Sequence, residues 1–154
     1  MSLLVHEDTY HPLMLVIAKG KPSMEQHIAS LKSWDTWFDS NEAFHVIRFF
    51  EDGDSLEIPA GAGRITQDWL TEGADVKFRL LVKSMCIVVP KAKYEKMKKM
   101  SVNKVFGIPG EIFSSVDDIF EWYEKNITPL NMLGIGSINI KEIKNAISVR
   151  QNSQ

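Results

Sequence analysis

The spacing of apolar and polar positions divides the chain into elements of different kinds. Pro12–Ala18 (PLMLVIA) is a continuous apolar run, the pattern of a strand covered on both faces. Ser2–Thr9 alternates weakly and predicts a partner strand, joined through Tyr10-His11-Pro12. Gly20-Lys21-Pro22 breaks the chain, and Ser23 offers a hydroxyl to cap a helix. Met24, Ile28, Leu31, Trp34 and Phe38 then recur at helical spacing, which predicts an amphipathic helix over Met24–Asp39. Phe44–Phe50 (FHVIRFF) is rich in β-branched and aromatic residues and reads as a third strand.

Beyond the acidic loop Glu51–Ser55 and the segment Ile58–Gly63, Ile65, Trp69 and Leu70 define a second helix that Gly73 interrupts. Ala74–Lys83 predicts a further helical piece. Met85–Val89 is short and wholly apolar, as expected of a central strand. Tyr94 and Met97 mark one side of a lysine-rich helix over Lys91–Met100, and Lys104–Gly107 reads as a short edge strand with Phe113 extended after it. Val116, Ile119, Phe120 and Tyr123 form the stripe of a closing helix capped by Ser114 or Ser115. After Asn126 the character changes. The expected organisation is one domain over 1–126 and a C-terminal tail over 127–154, in which Ile138, Ile140, Ile143 and Ile147 form a short helix docked on the domain or on a partner.

Composition adds limits. Apolar residues at 44% and charged residues at 25% are those of an ordinary globular chain, large enough to bury a core without staples. The single cysteine, Cys86, lies in an apolar run, so no disulfide forms within a monomer and an inert buried thiol is expected. No basic region followed by an apolar run opens the chain, and no stretch approaches the roughly 18 apolar residues of a membrane span; a cytoplasmic protein is the expectation. The net charge of −2 conceals an asymmetry: from Lys77 to Lys104 there are nine basic residues and one acid, Glu95, so the rest of the chain is strongly acidic. The face carrying Lys91, Lys96, Lys98 and Lys99 is a candidate surface for an acidic protein or an anionic membrane. The competing reading is a solvated helix face.

IPAGAGRITQDWL (Ile58–Leu70), MCIVVP with the helix after it, VFGIPGEIF and SSVDDIFEWYEKN resemble the SpoIIAA-like group of the STAS domain family, over roughly residues 10–126. The order strand–strand–helix–strand–helix–strand–helix–strand–helix is that family's topology. The resemblance implies an α/β (α+β) fold, a SpoIIAA-like sandwich whose mixed four- or five-stranded sheet carries about four helices mainly on one face. It implies a bacterial regulatory or protein-interaction module without enzymatic activity, a second protein or a second copy of the chain as partner, and no cofactor. Some relatives of lipid-transfer-like shape bind apolar ligands. The family's phosphorylated serine follows an aspartate at a helix start. The position here is Ser55 in Asp54-Ser55-Leu56, with a longer loop before the helix than the family's pattern has.

Candidate chemistry is sparse. His6, His11, His27 and His45 form no metal-binding spacing, and His6 with Glu7, Asp8 and His11 reads as an exposed hairpin edge; no metal site is expected. Gly61, Gly63 and Arg64 at a helix start could hold a phosphate or carboxylate, or could equally serve tight packing. Trp37 and Trp122 lie off the main helical stripes and are candidates for an exposed surface or a cleft. Aromatic residues are not interleaved with the lysines beyond Tyr94, which disfavours nucleic acid. Three functions follow in order: a protein-interaction module, a binder of an apolar ligand or anionic membrane surface, and an enzyme using the Gly61–Arg64 helix start. A packed core with exposed tail isoleucines would favour the first, and a sealed apolar cavity the second.

Overall fold

The computed structural model describes residues 2–126 and 140–151. Its order is β1 (Leu3–Glu7), β2 (Leu13–Lys19), α1 (Met24–Asp39), β3 (Phe44–Phe50), α2 (Ala62–Trp69), α3 (Asp75–Leu81), β4 (Val82–Val88), α4 (Lys91–Met97), α5 (Val102–Phe106), β5 (Ile112–Phe113), α6 (Val116–Asn126) and α7 (Ile140–Gln151). The strands form one mixed five-stranded sheet in the order β1-β2-β3-β4-β5. β1 is antiparallel to β2, and every later pair is parallel. Each parallel step needs a crossover. α1, the α2–α3 pair and the α4–α5 pair provide the three crossovers.

The alternation of strand side chains separates two cores. Met14, Val16, Phe44, Val46, Met85 and Ile87 face α1–α5 and pack with Trp34, Trp37, Phe38, Leu81 and Val102. Leu13, Leu15, Ile17, Ile47, Cys86 and Val88 face the other way, against Ile119 and Tyr123 of α6 and Ile143 and Ile147 of α7. Five helical pieces thus lie on one face and two on the other, which is why β2 is apolar at consecutive positions. Ile138 lies outside the described residues.

Local signals account for the boundaries. The Ser23 hydroxyl accepts from the Gln26 amide at 3.1 Å and the Gln26 side chain accepts from the Ser23 amide at 2.9 Å, a reciprocal cap that starts α1. α2 and α3 are joined through a wide turn over Leu70–Ala74, kinked at Gly73. A Cβ on Gly110 would stand 1.9 Å from the Met85 carbonyl oxygen, so only glycine lets this loop approach β4 closely enough to extend the ladder into β5.

Two expectations are corrected. Lys104–Gly107 is not a strand: Ser101 caps a short helix by accepting from the Lys104 amide at 3.2 Å, Val102 and Phe106 turn to the core one helical turn apart, and Gly107 ends it with φ 74°. The strand beginning at Val82 is fourth in the sheet, and β3 occupies the centre.

Candidate binding site

Between the sheet and the layer formed by α1, α2 and α3 lies a cavity of about 380 Å³. Leu4 of β1, Leu31 and Trp34 of α1, Phe50 of β3, Trp69 of α2 and Phe78 of α3 provide much of its apolar wall, with Leu56, Ile58, Leu70, Met85 and Phe106 completing it. The rings interlock around it. Trp34 and Phe78 are 5.7 Å apart, and Phe38 stacks on Trp69 at 6.2 Å. The Trp69 indole N–H donates to Asp35 at 2.8 Å, tying α2 to α1.

Polar and charged side chains also enter this wall. Arg48 is the central one. It stands on β3 two residues from Val46 and two from Phe50, so strand alternation turns it to the α1–α3 face. Its guanidinium carbon lies 5.2 Å from the centre of the Phe50 ring, and its Nε is buried with no hydrogen-bond partner. None of the ion pairs among the described residues includes it. Burial lowers its pKa to about 10, which leaves it charged at neutral pH. Of the three hydroxyl residues that line the cavity, Ser30, Ser55 and Thr66, two are backed by a histidine: Thr66 Oγ1 is 2.7 Å from His27 Nε2, and Ser30 Oγ is 2.6 Å from His6 Nε2. Burial, and secondarily the charge of Arg48, lowers the pKa of both imidazoles, that of His6 to about 4.

The opposite face holds a second polar group, fully enclosed. His45 Nδ1 is 2.6 Å from Ser84 Oγ, and the His45 ring meets Tyr123 edge-on at 6.0 Å. Burial pushes the Cys86 thiol up to about 12 and Tyr123 well above its ordinary value. The thiol is therefore inert, as its apolar strand implied.

Comparison with protein-family models, curated proteins and solved structures found no match to this chain. The site therefore rests on its own geometry.

The residues singled out from the sequence do not converge there. Gly61, Gly63 and Arg64 are exposed. Gly61 is explained by its φ of 85° at the start of α2, and it is Thr66 and Trp69, further along that helix, that reach the cavity. Trp37 is 6% exposed and packs edge-on against Trp34 at 5.3 Å and Phe44 at 5.7 Å; it is a core residue rather than a surface one, because α1 is covered across a wider arc than its main stripe. Trp122 is partly buried against Tyr123 at 5.6 Å. Ser55 is 4% exposed, lines the cavity, and donates its hydroxyl to the Asp52 carbonyl at 2.7 Å. A hydroxyl so placed is closed to a kinase, so the phosphosite expectation fails on access. His6, read as part of an exposed hairpin edge, instead packs against Trp34 and Trp37.

Lys91, Lys96, Lys98 and Lys99 are exposed on and after α4, and among the described residues no lysine lines the cavity. Lys98 is paired with Glu95 at 2.6 Å. In the acidic loop, Asp52 accepts from the amides of Gly20 and Ser55, so that carboxylate shapes the turn. Among the described residues no three His, Cys, Asp or Glu side chains are placed to hold a metal ion, and no helix is long and apolar enough to cross a membrane. Arg48, Ser30 and His27 were missed from sequence. The available signal was a lone arginine on the same alternate positions as Phe44, Val46 and Phe50.

Proposed function

We propose that this chain is a binding domain for a small, largely apolar molecule held between the sheet and α1–α3. The observation that supports it is the cavity of about 380 Å³, within the roughly 300–1,000 Å³ of small-molecule sites and walled by aromatic and aliphatic side chains. The tail supports the same reading. Ile143 and Ile147 are buried against the sheet, so they are not held out for a protein partner. A neutral fluorescent probe, N-phenylnaphthylamine, tests the proposal. It is expected to bind one to one, brighten, and quench Trp34 and Trp69. Leu31→Trp, which fills the cavity, is expected to abolish binding while the thermal unfolding midpoint is retained. No binding by the original chain, or binding untouched by Leu31→Trp, rejects the reading.

A second reading is the regulatory protein-interaction module of SpoIIAA-like type, acting as a homodimer. The observation favouring it is a group of exposed apolar side chains on neighbouring helices, Val76 and Leu80 of α3 and Val105 of α5. Sedimentation velocity is expected to show a dimer that Leu80→Lys dissociates. A monomer at every concentration would remove this reading and leave the first intact.

A further inference from the structure

Resting on the binding reading above, we infer that the molecule held in the cavity is an amphipathic acid, an apolar body with one carboxylate, whose head group is bound by the guanidinium of Arg48. An arginine in an apolar wall is costly. Arg48 is partly buried, its Nε has no hydrogen-bond partner, and no acid of the described residues forms an ion pair with it, so the part of its charge withdrawn from water lacks compensation. Glu57 and Asp75 also line the cavity. Asp75 is engaged by Arg79 at 2.8 Å, and Glu57 is exposed and forms no ion pair with Arg48. A carboxylate on the ligand supplies the missing counter-charge, and the planar fork of arginine matches its two oxygens.

The two hydroxyls complete the head-group site. The Nδ1 of His6 is buried without a partner. An unpaired acceptor is tolerated better than an unpaired N–H, so the proton belongs on Nε2, which faces Ser30. The imidazole then donates to Ser30 Oγ and leaves the hydroxyl hydrogen free for a ligand oxygen. His27 Nε2 lies 2.7 Å from Thr66 Oγ1, and with its proton on Nε2 that pair would present the Thr66 hydroxyl in the same way. Both histidines stay neutral beside Arg48, so Arg48 is the one cationic side chain among the lining residues and fits one negative charge. The bulk of the wall, from Leu31 to Phe78, is left for the apolar body.

Displacement of N-phenylnaphthylamine from the full chain by decanoate, decanol and decylammonium tests this inference. The expected order is decanoate first, decanol next and decylammonium last. Decanoate should be ahead of decanol by roughly 10- to 100-fold, the range of a charge-assisted hydrogen-bond pair. Arg48→Gln is expected to erase the preference while the neutral probe still binds. Equal displacement by decanoate and decanol, or a preference that survives Arg48→Gln, overturns the inference and leaves the cavity reading standing. Failure of the neutral probe to bind the original chain removes both. If Arg48→Gln does not fold, the order measured on the original chain decides the point alone.

Discussion

His45 has no solvent exposure, shares Nδ1 with the Ser84 hydroxyl and keeps Nε2 without a partner. Tyr123 of α6 faces its ring, Cys86 lies beside that tyrosine, and Lys83 adds repulsion. Burial first, and Lys83 second, lower its pKa from 6.5 to about 4. The unfolded chain therefore takes up a proton in a range where the folded chain does not. Stability is complete above about pH 6.5 and falls as pH drops toward 4, by at most about 1.4 kcal/mol per pH unit for one histidine. His6 contributes in the same direction over the same window. Urea unfolding across that window is expected to show a shallower pH slope for His45→Asn than for the original chain. Carboxylates titrate alike in both proteins, so equal slopes would mean that His45 is protonated freely in the fold.

Among the elements, α7 makes the largest demand on tertiary context. Its pattern is only weakly amphipathic, yet Ile143 is 0% exposed and Ile147 3%. Both lie against the face of β2 that α6 leaves open. Ile143→Ala is expected to lower unfolding stability by about 2–5 kcal/mol, as for other buried aliphatic truncations, with an unchanged denaturant slope. A loss below about 1 kcal/mol, typical of a surface change, would place α7 off the sheet. Elements with strong local signals, such as α1 with its Ser23 cap and β3 with its aromatic run, were legible from sequence to the residue. α5 was not, since Lys104–Gly107 has no periodicity long enough to separate a helical turn from a short strand. The Ser101 cap and the positive φ of Gly107 decide it.

At the scale of the molecule, the α/β class, the order of the elements and the double burial of β2 follow from the chain itself. Apolar spacing, caps and breakers act within a few residues, and each can be read where it stands. The inert Cys86 follows the same way, because a strand of neighbouring apolar residues already implies its burial. The cavity does not. Its wall takes Leu4, Trp34, Phe50, Trp69 and Phe78 from five elements, and no local pattern says that their rings stop short of filling the space between them. Nor does the sequence show that Arg48 lacks an acid, since the chain is rich in carboxylates and only packing keeps them away from it. Apart from α5, the chain by itself determined which residues form strands and helices and which faces are apolar. The tertiary structure alone decided which faces meet, what volume they leave open and which charge they leave unpaired, because those depend on contacts between residues far apart in sequence.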